Sequence, residues 1–240
     1  MMDREKGLLS GNALKIIGAL AMLCDHVGLM FFPQVRLFRI IGRLAFPIFA
    51  YMIAEGCRYT RSRPRYFLQI FLLAFGCQVV YFLVDRSLYM SILVTFSCSI
   101  LLICTLQHLK EARGTGVALW GMVFASAVVG IYMLNDILEI DYGFWGCMVP
   151  VFPSLFQDRR NAERKCFPRL DRREIHIAML ALGLLLLWAD IGGEQLWSLM
   201  AVPVLLLYSG ARGKLPMKYF FYFFYPLHLA LLQLIGWIIY

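Results

Sequence analysis

Long apolar runs, broken at short intervals by clusters of charge, make up most of this 240-residue chain, and no stretch alternates apolar and polar residues as a half-buried strand does. The runs reach 17–20 residues, about what a helix rising 1.5 Å per residue needs to cross a hydrocarbon core. They place spanning segments near 13–33, 37–57, 66–84, 89–108, 115–134, 138–156, 174–189, 195–208 and 219–239. Lipid offers no partners to backbone N–H and C=O groups, so such a chain crosses as helices or as a closed barrel, and the missing period of two selects helices. The expected fold class is therefore all-α: a polytopic transmembrane helix bundle of about nine spanning segments, forming a single domain over residues 1–240. Three segments are irregular. Pro47 lies in mid-span of the second and should kink it, Pro150 and Pro153 break up the sixth, and the eighth, barely long enough to cross, holds Pro203.

Charge orients this pattern. Alternate loops carry 19 of the 23 basic residues, while the opposite side is acidic around Asp136, Glu139, Asp141, Asp190 and Glu194. The excess of Lys and Arg in cytoplasmic loops then puts the N-terminus in the cytosol. No cleavable signal peptide is expected, because the first ten residues are polar and the first apolar run lacks a small-residue cleavage site. The net charge of +8 resides in these loops, so nucleic acid is not an expected partner, whereas a lipid bilayer is. The composition is 61% hydrophobic and 16% charged, with a mean hydropathy of +0.70, outside the range of soluble globular chains. Seven cysteines lie mostly within apolar runs without metal-ligand spacing and read as small buried hydrophobes; no metal is expected.

Against this background the ionisable residues inside apolar runs stand out, since each is costly to bury unless it faces protein or water. Asp25 and His26 interrupt the first segment, with His26 within roughly 5 Å of the bilayer centre. Gly18, Ala21 and Gly28 fall on the side of Asp25, a small-residue stripe that permits close helix approach. In the second segment Arg39, Arg43, Pro47, Ala50 and Ala54 share a face, and the depth of Arg43 suggests a meeting with Asp25 and His26. Two readings stay open there, a working cluster or a structural pair of Asp25 with Arg43. Arg39 could equally snorkel to the outer interface, and Glu55 could form a surface pair with Arg58 or Arg61. In the last segment His228 lies near mid-membrane beside Pro226 and competes as a satisfied core histidine; His108 and His176 sit at segment ends and read as interfacial.

The stretches Leu14-Lys-Ile-Ile through Met22-Leu-Cys-Asp25-His26-Val-Gly, Arg39-Ile-Ile-Gly-Arg43-Leu-Ala-Phe-Pro47 through Glu55-Gly56, Asp141-Tyr-Gly143 and Phe224-Tyr-Pro-Leu-His228-Leu resemble the TraX family of bacterial membrane proteins. The resemblance implies N-terminal acetylation of a pilin, or more broadly transmembrane acyl transfer from acetyl-CoA, in the bacterial inner membrane. It implies importance for His26, with Asp25, Arg43 and Glu55 as motif positions, and leaves the acceptor undetermined. On this reading the protein is an acetyl-CoA-dependent acyltransferase acting on an amine, a hydroxyl or a peptide N-terminus. His26 would be the general base, Asp25 would fix its tautomer and Arg43 would bind the oxyanion. Arg39, Glu55, Arg58, Arg61, Arg65 and His228 are candidate binding residues, the arginines and Arg212, Lys214 and Lys218 offering cations to the phosphates of CoA. The alternative is a proton-coupled carrier using Asp25, His26, Arg43 and His228 as a relay; a homo-oligomer stays open.

Overall fold

A computed structural model of the protein describes residues 7–86, 89–162, 165–213 and 218–239, apart from the side chains of 84, 85 and 218–222. Lys214 lies outside the described residues, as does the side chain of Lys218. In chain order the helices are α1 (Gly11–Phe31), α2 (Arg36–Gly42), α3 (Ala45–Tyr59), α4 (Arg63–Asp85), α5 (Ile92–Glu111), α6 (Thr115–Ile137), α7 (Gly143–Met148), α8 (Val151–Phe156) and α9 (Arg173–Ile191). A 3-10 helix (Gly193–Met200), α10 (Ala201–Leu206) and α11 (Lys218–Ile239) complete the chain. The only β pairing among the described residues is two isolated bridges, Leu9 with Tyr208 and Met90 with Ile140.

Six helical segments among the described residues are long and apolar enough to cross a membrane: 11–31, 36–59, 63–83, 92–111, 115–137 and 173–191. Six of the nine expected spans are thus long apolar helices among the described residues. The expected 138–156 span is two short helices, because Pro150 and Pro153 cannot donate to the carbonyls one turn before them. The expected 195–208 span is the 3-10 helix followed by six residues of α-helix, with Pro203 removing the donor that would have continued the ladder. The second segment is interrupted between Gly42 and Ala45, so that Pro47 falls in the first turn of α3, where its missing N–H costs little. The bend expected at Pro47 is therefore displaced one turn toward the N-terminus.

The chain forms two compact units, one of residues 1–52 and 192–240, the other of residues 53–191, the division falling within α3. In the first unit α1 packs on both α2 and α11. Ser10 caps α1, its hydroxyl accepting the Ala13 N–H at 3.2 Å. The segment just before and at the start of α1 is laced to the stretch after α10: Leu9 N–H donates to Leu207 O, Ser209 N–H to Leu9 O, Gly11 N–H to Ala211 O and Asn12 N–H to Arg212 O. Gly18 approaches Ile48 and Phe49, and a methyl at Gly28 would collide with Phe38, so the stripe of small residues on α1 is the side turned to its neighbours.

In the second unit α5 is the most enclosed helix, with α4, α6, α7 and α8 against it. Thr95 Oγ1 donates to the Asp141 carbonyl at 2.7 Å and Ser99 Oγ to the Cys147 carbonyl at 2.8 Å, which pins the start and end of α7 to α5. Lys110 closes the other end of this broken segment. Its ammonium donates to the carbonyls of Ser154, Leu155 and Gln157 at the end of α8 and pairs with Asp158 at 2.9 Å. A lysine so placed satisfies the orphan carbonyls at a helix C-terminus and complements its dipole.

A histidine pair and an ion pair as the candidate functional site

The candidate site is built on one turn of α1. At helical spacing Asp25 and His26 point 100° apart, so consecutive residues reach different partners. Asp25 turns to α2, where its Oδ2 accepts from Arg39 Nη1 at 2.8 Å. The carboxylate lies so close over Gly42 that a methyl there would collide with it, which is why a glycine ends α2. Both charged side chains keep some access, 20% for Asp25 and 25% for Arg39. Asp25 Oδ1 is buried and accepts no hydrogen bond among the described residues.

His26 turns to α11. Its Nδ1 is 2.9 Å from the Met22 carbonyl and 3.4 Å from His228 Nε2, and the rings meet edge to face with centroids 5.1 Å apart. His228 in turn places Nδ1 2.8 Å from the Phe224 carbonyl and stacks on the Phe224 ring. Carbonyls only accept, so these partners assign a proton to Nδ1 of both rings. His26 Nδ1–H then also faces the bare Nε2 of His228, and the remaining lone pair of the couple is His26 Nε2. His228 is 4% exposed while His26 keeps partial access. The arrangement can accept a proton at His26 Nε2 and share the resulting charge with a second imidazole.

Where a meeting of Asp25, His26 and Arg43 was expected, the geometry brings Arg39 to Asp25 and His228 to His26. Arg39, one turn earlier, takes Asp25, and Arg43 donates to Gln195 Oε1 of the 3-10 helix at 3.3 Å. The reason is the interruption after Gly42, which puts Arg43 at the end of α2. Gln195, absent from the sequence-derived candidates, is 3% exposed, and its only sequence signal was an amide at the edge of an apolar run.

The candidates Glu55, Arg58, Arg61 and Arg65 belong to the second unit. Glu55 is buried and accepts from Gln157 Nε2. Arg58 is held by Asp171, whose oxygens also lie 3.3 Å from His176 Nε2 and 3.6 Å from Lys165 Nζ. Burial, the largest single influence, would push the Asp171 carboxyl up; the His176 hydrogen bond and the charges of Arg58, His176 and Lys165 outweigh it and hold it below the usual carboxylate range. Arg63 and Arg159 converge on Glu111. Arg61 and Arg65 are exposed. His176, expected at an interface, is 1% exposed, and His108 stacks on Trp120.

A multi-pass helical chain whose first and last long helices bring two histidines into contact defines the class: a polytopic membrane protein with an imidazole pair between its helices. The TraX protein family matches residues 10–236, and the chain belongs to that family. It is 27% identical over 252 residues to the probable fimbrial assembly protein FimC, serogroup H1, of Dichelobacter nodosus, covering 93% of this chain and 94% of that protein. A shorter match, 45% identical over 40 residues, joins it to the uncharacterized protein RP591 of Rickettsia prowazekii (strain Madrid E), covering 17% of this chain and 16% of that one. No solved structure matches. The expected function, acetyl transfer from acetyl-CoA with a proton-coupled carrier as alternative, is overturned by these findings: the relative matched along nearly its whole length is named for fimbrial assembly.

Proposed function

We propose that this protein works from within the membrane in the assembly of fimbriae, with the His26–His228 pair as its working centre. The name and near-complete coverage of the Dichelobacter relative support the role. The observation that carries the centre is the contact of two imidazoles 202 positions apart in the chain, one of them almost wholly enclosed, at a cost that membrane segments seldom bear without use. Asp25 and Arg39 neutralise each other beside the pair and keep α1 and α2 together, so that the imidazoles act against a fixed background of charge. The membrane in this reading is the bacterial cytoplasmic one, with the N-terminus on the cytosolic side, as the concentration of basic residues in alternate loops supports.

The test uses a fimbriate bacterium from which the gene for this protein has been deleted, complemented with the wild type, His26→Ala or His228→Ala. Fimbriae are counted by electron microscopy and membrane protein by immunoblot. The deletion strain should lose its fimbriae, the wild type restore them, and both variants accumulate in the membrane without restoring them. Normal fimbriation of the deletion strain would overturn the role, and restoration by both histidine variants would overturn the site.

A further inference from the structure

The cations of the second unit divide into two groups. Arg58, Arg63 and Lys110 are buried or nearly so and are committed to Asp171, Glu111 and Asp158 at 2.7–3.1 Å. Arg61 and Arg65, in the turn before α4 and in its first turn, are exposed and form no ion pair among the described residues. They stand at the head of an apolar face. Arg65, Leu68, Leu72, Gly76, Val79 and Leu83 follow at three- and four-residue spacing, with Leu68 50%, Leu72 57% and Leu83 63% exposed. Gly76 makes a gap in that face between Leu72 and Val79 in sequence: a methyl added there would meet nothing within 4 Å. From Arg65 to Gly76 the helix rises roughly 16 Å, about half of a 30 Å hydrocarbon core and therefore the depth of one leaflet.

We propose that this face of α4 is a binding site for one anionic phospholipid, its phosphate between Arg61 and Arg65 and an acyl chain laid along Leu68 and Leu72 into the notch at Gly76. The two requirements of such a ligand meet on one helix: guanidiniums that match phosphate oxygens in paired hydrogen bonds, and an apolar furrow of leaflet depth directly beneath them. A zwitterionic lipid would bring its own cation to the same guanidiniums and gain less. The partner is a lipid, and a soluble phosphate compound would leave the furrow unused.

The full-length protein is reconstituted in vesicles of equal parts phosphatidylglycerol and phosphatidylcholine, extracted in mild detergent, and its retained lipids are measured by native mass spectrometry. The wild type should retain phosphatidylglycerol in preference, and Arg61→Gln with Arg65→Gln should reduce that preference by about fivefold for each arginine removed. Gly76→Leu, on an open helix face where folding is undisturbed, should weaken retention while leaving both arginines in place. Equal retention of the two lipids by the wild type, or an unchanged preference in the double Gln variant, would overturn the site. Unchanged retention by Gly76→Leu would overturn the acyl furrow, and displacement of the lipid by inorganic phosphate alone would show a soluble phosphate ligand instead.

Discussion

Each compact unit holds an aspartate against an arginine, and the two pairs are built to opposite ends. Asp171 is 2% exposed and is enclosed by three cationic or protonatable groups, Arg58, His176 and Lys165. Asp25 pairs with Arg39 at 2.8 Å and keeps a fifth of its side-chain surface open. A buried carboxylate surrounded by several cationic groups is a lock, since removing it strands those groups at once. A single pair with residual access holds two helices together and leaves part of its surface open beside His26.

The comparison makes quantitative demands, beginning with the lock. Asp171→Ala should destabilise the protein by about 3–5 kcal/mol, because it leaves Arg58 and His176 enclosed without their acceptor. Thermal unfolding in detergent would read this, and a loss under 1 kcal/mol would mean that the cluster is not a lock. Gly42→Ala should cost about 1–3 kcal/mol, since the new methyl collides with Asp25 and must push α1 from α2. The same unfolding assay, with Gly28→Ala as a second strained contact against Phe38, would check it.

A third demand concerns acid. The folded-state pKa of Asp171 is depressed, so its contribution is present in full above the unfolded value of about 3.9 and is lost as pH falls through the folded value. Stability of the wild type should therefore decline below about pH 4 more steeply than that of Asp171→Asn, measured by unfolding across a pH series. The smallest effect is expected at the working pair. His228→Phe keeps a ring against Phe224 and should change stability by less than about 1 kcal/mol while abolishing fimbrial assembly, which separates use from support. A large stability loss there would make the histidine pair another lock and erase the contrast.

What could be read in advance follows the range of the interactions involved. Helical, membrane-embedded architecture and the packing side of α1 are local properties of composition and of three- and four-residue spacing, and Gly18, Ala21 and Gly28 carried them directly. The partner of Asp25 was not local. Arg39 and Arg43 lie one turn apart on the same face, and only the break after Gly42 decides between them. Gln195 lies 152 positions from Arg43, and Lys110 lies 48 from Asp158, distances over which periodicity carries no information. For the same reason the sequence gives no hint that Lys110 reaches Asp158, or that Arg58 and His176 reach Asp171, in the charged stretch after α8. Proline gave mixed guidance: it marked where long helices fail at 150, 153 and 203, but at 47 its place in a first turn hid the break ahead of it.

The lacing of residues 9–12 to residues 207–212 bears on how the protein is made. Ribosomes add about 5–20 residues each second, so roughly ten to forty seconds separate the emergence of Leu9 from that of Ser209. Throughout that interval the backbone groups at the head of α1 have no native partner, while all of residues 53–191 is delivered to the membrane uninterrupted. Biogenesis is therefore vectorial in an unusual sense: the stretch born first is completed last, after an entire second unit has been given time to form. A nascent chain arrested before Gly192 would hold the locked carboxylate of Asp171 and lack the His26–His228 contact, which only the final helix can supply.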